Sequence, residues 1–192
     1  MGSDSRDRMI RAAVELFRER GYAGTSFGDV IERSGAPRGS IYHHFPGGKV
    51  QLAEEALRWY AQRSTEALSR LTGGFPADEA VALFLDASQD ALRRSEFGQG
   101  CPVAGVALDL APSDTTLATA STETFTAWQS VLAAAFTRDG AAPSRAARAA
   151  TLVVAAVEGG LLLARAARST NPLDDVRSEL AGYVRAVLGH PA

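Results

Sequence analysis

Apolar residues recur at helical spacing along almost the whole chain, and the alternating pattern that is typical of strands is nearly absent. The first segment shows helical spacing at positions i, i+3, i+4 and i+7, which are occupied by Ile10, Ala13, Val14 and Phe17. Gly21 follows this segment and is expected to end it, because glycine readily adopts the left-handed conformation that stops a helix. The pattern therefore predicts an all-α protein.

Glycine and proline divide the chain into nine predicted helices. The second lies between Ser26, a favourable N-cap residue, and Gly35. The third begins at Pro37, which suits a first helical turn. The inward side chains of these two helices are predicted to be Phe27, Val30, Ile31, Ile41 and Phe45. The other seven helices are predicted over about residues 4–20, 49–71, 78–94, 103–111, 114–139, 144–168 and from 173 onward.

The eighth helix differs from the others because it is apolar nearly all round, which predicts burial on most of its sides. Its nearly apolar run between Arg148 and Arg165 has 16 residues and contains Glu158. A membrane span needs roughly 20 apolar residues, so we expect no membrane association.

Composition narrows the class of protein. The 192 residues are 46% hydrophobic and 22% charged, which is typical of a globular protein. The net charge of −2 excludes a protein that coats nucleic acid by bulk charge, although residues 1–50 carry +2 and residues 51–192 carry −4. One cysteine, Cys101, excludes an internal disulfide framework and a multi-cysteine zinc site. Together with the lack of a signal-like N-terminal stretch, this predicts a cytoplasmic protein.

The second and third helices have the layout of a helix-turn-helix, since a short turn containing Gly35 joins them. In such a motif the second helix enters the major groove of DNA. With Ile41 and Phe45 facing inward, the other sides carry groups that bond phosphates and base edges, namely those of Arg38, Ser40, Tyr42, His43 and His44. The spacing of these residues alone is equally compatible with a plain helical hairpin that does not bind DNA.

The stretch GYAGTSFGDVIERSGAPRGSIYHHFPGGKVQLAEEAL resembles the DNA-binding region of the TetR family of transcriptional repressors. The matching positions are Phe17, Gly21-Tyr22, Thr25-Ser26, Val30-Ile31, Gly35, Gly39, Ile41-Tyr42, His44-Phe45 and Lys49. The later stretches GCPVAGVALDLA and AAVEGGLLLARAARS are similar to the subgroup of lincomycin- and flavonoid-responsive repressors of multidrug-efflux genes.

The resemblance implies a homodimer that binds a palindromic operator and is released by a small hydrophobic effector. It implies three DNA-binding helices in residues 1–48 and six helices for ligand binding and dimerisation in residues 49–192. The implied DNA contacts are Thr25, Ser26, Pro37, Arg38, Ser40, Tyr42, His43, His44 and Lys49. The chain departs from the family pattern at Pro37, where Ser or Thr is usual, and at Gly47-Gly48, which offer no side-chain cap to the fourth helix.

Aromatic residues in the body suit a flat hydrophobic ligand, although a close-packed core has the same pattern. The ligand-binding candidates are Trp59, Phe84, Phe125, Trp128 and Glu158. A buried carboxylate needs a partner, and we favour a structural partner for Glu158 over a donor group of the ligand. The predicted dimer interface comprises Gly159, Gly160, Leu163, Val176, Leu180, Tyr183 and Val187.

Two other functions remain open at this point: a helical small-molecule-binding protein without DNA-binding function, and an all-helical enzyme. Arg38, Tyr42 and Lys49 argue against the first. The second is disfavoured because no nucleophile, base and acid occur in a recognisable set, so we expect neither catalysis nor a cofactor. No metal motif is present. Cys101 is expected to be inert packing rather than a redox sensor.

Overall fold

The computed structural model describes residues 2–110 and 114–189. Over these residues the chain forms nine helices and no strand, which confirms the predicted fold class. The helices are α1 (Gly2–Arg20), α2 (Phe27–Ser34), α3 (Ser40–His44), α4 (Gly48–Gly74), α5 (Ala77–Arg94), α6 (Pro102–Leu108), α7 (Thr115–Arg138), α8 (Pro143–Ala167) and α9 (Asn171–Val187).

Local chemistry sets both ends of α2. The Ser26 hydroxyl accepts a hydrogen bond from the backbone N–H of Asp29, and the Asp29 carboxylate accepts one from the backbone N–H of Ser26. This reciprocal capping box satisfies two donors that have no partner within the helix. At the other end, Gly35 adopts a left-handed φ of 63°, as predicted for a glycine that ends a helix.

The third helix is shorter than predicted, because it begins at Ser40 rather than at Pro37. The carbonyl of Pro37 accepts hydrogen bonds from the Ser40 backbone N–H at 2.9 Å and from its hydroxyl at 2.7 Å. These bonds close a turn over residues 37–40 before the helix starts. The sequence predicts Pro37 in the first helical turn, but the Ser40 hydroxyl bonds to the Pro37 carbonyl and favours a separate turn instead.

The described chain packs as two compact units. One contains the residues up to Gln62 together with Gln99–Thr124, and in it α1 packs against α2, α3 and α6. Its buried core includes Phe17, Ile41 and Phe45, while Phe27 and Ile31, predicted to face inward, are half-buried. The division by function at residues 48 and 49 stays a prediction.

The second unit contains Arg63–Gly98 together with the residues from Phe125 onward, and in it α5, α8 and α9 pack on one another. At Gly160 a Cβ atom would lie 2.8 Å from the Cδ2 atom of Leu173, so the glycine permits close approach of α9. The carboxylate of Asp86 on α5 pairs with the guanidinium of Arg177 on α9 at 2.8 Å.

One side of α8 is exposed, contrary to the prediction that this helix is buried on most sides. Leu152, Leu162 and Leu163 are all exposed, because α5 and α9 cover only the opposite side. Within the described residues α8 is the one helix long and apolar enough to cross a membrane. Its covered side packs against α5 and α9, as the side of a core helix does.

Candidate DNA-binding surface and ligand-binding body

The helix-turn-helix places three polar side chains of the third helix and its preceding turn at the surface. Arg38 and His43 are exposed, and Tyr42 is 68% exposed. The Phe27 ring holds the Tyr42 ring edge-on, with 5.6 Å between centroids. Arg38 and Tyr42 border an open groove of about 710 Å³ that Ser26, Asp29 and Glu32 also line. The arrangement offers a guanidinium and a phenol to an anionic partner.

The glycine at position 39 has open space around it, since an added Cβ atom would meet nothing within 4 Å. No neighbouring helix among the described residues therefore requires glycine here. Pro37 is also exposed, Ser40 is half-buried, and His44 is half-buried against Phe45 with 6.4 Å between ring centroids.

Two predicted DNA contacts have hydroxyl groups that are engaged within the protein. Thr25 is only 3% exposed, and its hydroxyl donates to the Gly21 carbonyl at 2.8 Å. The exposed Ser26 donates to the Asp29 carboxylate at 2.6 Å in addition to capping α2. These side chains hold the α1–α2 turn, and their predicted contacts with DNA stay predictions.

Lys49 lies over the ring of Tyr22, with 4.1 Å between its Nζ atom and the ring centroid. Burial lowers the pKa of the Lys49 ammonium, and the carboxylates of Asp109 and Asp29 oppose this effect. The ammonium is thus held by a cation–π contact at the start of α4. The side chain of Gln51 supplies the cap that Gly47-Gly48 cannot, because its Oε1 atom accepts from the Gly47 backbone N–H at 2.7 Å.

The ligand-binding candidates lie on four different helices. The structure brings Phe125 and Trp128 together on α7, edge to face at 5.5 Å between centroids. The Trp128 indole N–H donates to the Ser64 hydroxyl of α4 at 3.0 Å. Trp59 on α4, Phe84 on α5 and Glu158 on α8 are each half-buried.

The residues predicted for the dimer interface fall into two groups. Gly160, Leu180 and Val187 are buried within the single chain, so the α8–α9 packing already engages them. Gly159 and Leu163 are exposed, and Val176 and Tyr183 are half-buried. Gly159 and Leu163 lie on the same side of α8 as the exposed Leu152 and Leu162.

Sequence reasoning missed three residues that shape these surfaces. Asp29 could have been found, because a serine followed three residues later by an acidic residue is the spacing of a capping box. Tyr22 was noted only as part of the family pattern and not as the partner of Lys49. Ser64 gave no signal, since its contact with Trp128 joins residues 64 positions apart.

A helix-turn-helix that exposes guanidinium, phenol and imidazole groups, followed by a larger helical body, defines a DNA-binding transcriptional regulator. Residues 9–56 match the bacterial regulatory proteins of the tetR family. Residues 77–179 match the C-terminal domain of LmrA/YxaF-like transcriptional regulators. The chain belongs to the TetR family of transcriptional regulators.

Relatives and solved structures agree with this assignment. The chain is 36% identical over 179 residues to the HTH-type transcriptional regulator LmrA of Bacillus subtilis, covering 91% of this chain and 94% of that one. A TetR transcriptional regulator from Legionella pneumophila superposes with a TM-score of 0.83 at 25% identity, covering 92% and 95% of the two chains. A cysteine mutant of the TetR family regulator CifR was solved with 26-base-pair operator DNA. It superposes with a TM-score of 0.70 at 26% identity, covering 96% of this chain and 95% of that one.

These comparisons confirm the family, the subgroup and the DNA-binding function that the sequence predicted. Regulators of the TetR family bind operator DNA, as the CifR complex shows for that protein. Proteins of this kind are generally not enzymes.

Proposed function

We propose that the protein is a homodimeric repressor that binds a pseudo-palindromic operator and is released by a small hydrophobic effector. The observation that carries the proposal is the pair of exposed surfaces on one chain. The turn and helix over residues 38–43 expose hydrogen-bonding groups, whereas α8 exposes leucines. The first surface suits DNA, and the second suits a second copy of the chain.

In the proposed complex each protomer inserts α3 into one major groove. Arg38 and Ser40 lie at base edges, while Tyr42, His43 and His44 contact phosphates or thymine methyl groups. Lys49 binds a phosphate through its ammonium. Support comes from the exposure of Arg38, Tyr42 and His43 and from the fixed position of the Lys49 side chain over Tyr22.

Dimerisation is proposed through the exposed side of α8 together with α9. Leu152, Leu162 and Leu163 are the large apolar side chains of α8 that are exposed to water in the isolated chain. The adjacent Gly159 has nothing within 4 Å of an added Cβ atom, which leaves room for the backbone of a partner helix.

The residues proposed for effector binding are Phe84, Phe125 and Trp128 of the second unit, and Trp59 stays a further candidate. The effector releases the operator only if it binds the DNA-incompetent state better than the competent one. Glu158 is proposed to have a structural partner rather than to bind a donor group of the effector. We further propose that the protein works in the cytoplasm without catalytic activity and without membrane association.

The test is selection of genomic DNA fragments by the purified protein, followed by sedimentation of the protein with its selected site. The expected result is a site of two inverted half-sites and a complex that contains two protomers. The Arg38→Ala variant should lose the base preference at one position of each half-site, whereas the variant Arg94→Ala, which removes an exposed arginine of α5, should retain it. A site without inverted symmetry, or a monomeric complex, would contradict the proposal.

A further inference from the structure

The segment that leads into α6 is hydrogen-bonded to the last turn of α1. The Gly100 N–H donates to the Arg18 carbonyl at 2.8 Å, and the Arg18 Nε–H donates back to the Gly100 carbonyl at 3.1 Å. The amide of Gln99 adds a donor to the Glu19 carboxylate at 3.2 Å. Three hydrogen bonds therefore fix the start of α6 against the last turn of α1.

Further along α6 the two backbones are nearly in contact. A Cβ atom at Gly105 would lie 2.8 Å from the carbonyl oxygen of Phe17, closer than real Cβ atoms approach. Glycine is thus required on the α6 side of this contact. The direction of α6 is set by α1, and its C-terminal end reaches the α1–α2 turn.

At that end, Asp109 completes the α1–α2 turn. Its Oδ2 atom accepts a hydrogen bond from the Ala23 backbone N–H at 2.8 Å. Gly21 has a left-handed φ of 74°, and a Cβ atom there would lie 2.4 Å from the same oxygen. The Asp109 carboxylate therefore lies where a Cβ atom of any other residue at position 21 would be.

The turn that Asp109 holds also carries the partner of Lys49. Tyr22 stands between Gly21 and Ala23 in the chain, and the Lys49 Nζ atom lies over its ring. The Asp109 carboxylate also attracts the Lys49 ammonium directly, since its charge is one of those that favour the protonated form.

We propose that Asp109 is a positioning residue for DNA binding. By accepting the Ala23 N–H it fixes the α1–α2 turn, so that Tyr22 holds the Lys49 ammonium where a DNA phosphate can reach it. The inference rests on the phosphate contact proposed for Lys49 and extends it to Asp109, the residue that follows α6 and that is not among the proposed DNA contacts.

The experiment compares Asp109→Ala with Asp109→Asn in operator binding over a range of salt concentrations. Both variants remove one negative charge, but only asparagine keeps an oxygen that can accept the Ala23 N–H. Because one hydrogen bond is lost, Asp109→Ala should bind about three- to tenfold more weakly than Asp109→Asn and with a smaller salt slope.

A double-mutant cycle with Lys49→Ala separates positioning from a general loss of structure. In the Lys49→Ala background, Asp109→Ala should change operator affinity by less than about twofold, because the side chain that it positions is gone. Tyr22→Leu removes the ring that holds the Lys49 ammonium, and its effect on operator affinity should likewise disappear in the Lys49→Ala background. This variant replaces Asp109→Ala in the cycle if Asp109→Ala does not fold.

Equal affinities of the alanine and asparagine variants, or additive effects in the cycle, would overturn the inference while leaving the Lys49 contact intact. An unchanged affinity and salt slope for Lys49→Ala alone would overturn the Lys49 contact, and the inference with it.

Discussion

The third and the eighth helices both expose large side chains, but of opposite chemistry. The five-residue α3 exposes Tyr42 and His43, whereas the 25-residue α8 exposes Leu152, Leu162 and Leu163. On α3 a short helix is enough, because Phe27 and the buried Ile41 fix its orientation. On α8 the exposed leucines are costly in water. Exposure alone therefore does not identify a partner. The chemistry of the exposed groups favours DNA as the partner proposed for α3 and a second copy of the chain as the partner proposed for α8.

The largest effect is expected at α8, where Leu163→Glu would place a charge in the proposed dimer interface. An unpaired buried charge costs about 3–5 kcal/mol, so the variant should sediment as a monomer at concentrations at which the unaltered protein is a dimer. Leu108→Glu is the matched control, since Leu108 is 78% exposed and Leu163 is 58% exposed. If the two variants have the same oligomeric state, the comparison between α3 and α8 fails.

On the α3 side, Arg38→Ala should remove about 1–3 kcal/mol of discrimination at one base position of each half-site. Binding to a panel of operator variants measures this effect. Arg94→Ala on α5 removes the same charge from another exposed site and should leave the profile unchanged. An unaltered base preference in Arg38→Ala would show that this surface does not read DNA through Arg38.

The two adjacent glycines of α8 should respond differently to alanine. Gly160→Ala forces a Cβ atom against Leu173 and is expected to lower the free energy of unfolding by about 1–3 kcal/mol. Gly159→Ala meets open space within the single chain, so in the monomeric Leu163→Glu background it should stabilise the helix by about 0.5–1 kcal/mol. Urea unfolding measures both, and equal losses would mean that both glycines face packed neighbours.

The Lys49→Ala variant is expected to lose affinity without losing base preference. It should weaken binding of all DNA sequences about equally and reduce the magnitude of the salt slope by about 0.9, the value for one phosphate contact. Fluorescence anisotropy at several salt concentrations measures the slope. Lys49→Arg retains the charge and should retain the slope, so a loss of slope in the arginine variant would speak against a charge contact.

Features that depend on neighbouring residues could be predicted from the sequence. The helix ends at Gly21 and Gly35 follow from glycine's access to the left-handed region, and both adopt positive φ. The start of α3 could not be predicted, because Pro37 favours a helical turn while the Ser40 hydroxyl competes for its carbonyl. Predictions were thus least reliable where two local preferences conflict.

Features that depend on the rotation of a helix or on distant residues were harder to predict. The sequence shows two adjacent glycines at 159 and 160, but only packing shows that Gly160 faces α9 within the chain. The contact between Asp109 and Ala23 spans 86 positions and leaves no periodic signal. Exposed Leu163 and buried Leu180 likewise have the same hydropathy, and only the packing of the helices distinguishes them.

The docking of α6 on α1 has a consequence for chimeric regulators. By sequence, Gly105 and Asp109 fall within the match to the C-terminal domain, yet they pack on the helices of the DNA-binding match. A fusion that joins these DNA-binding helices to another regulator's effector domain would bring a foreign α6 against Phe17 and Gly21. Such a graft should succeed only where the donor supplies an equivalent glycine and carboxylate, or where both are transplanted with the DNA-binding helices.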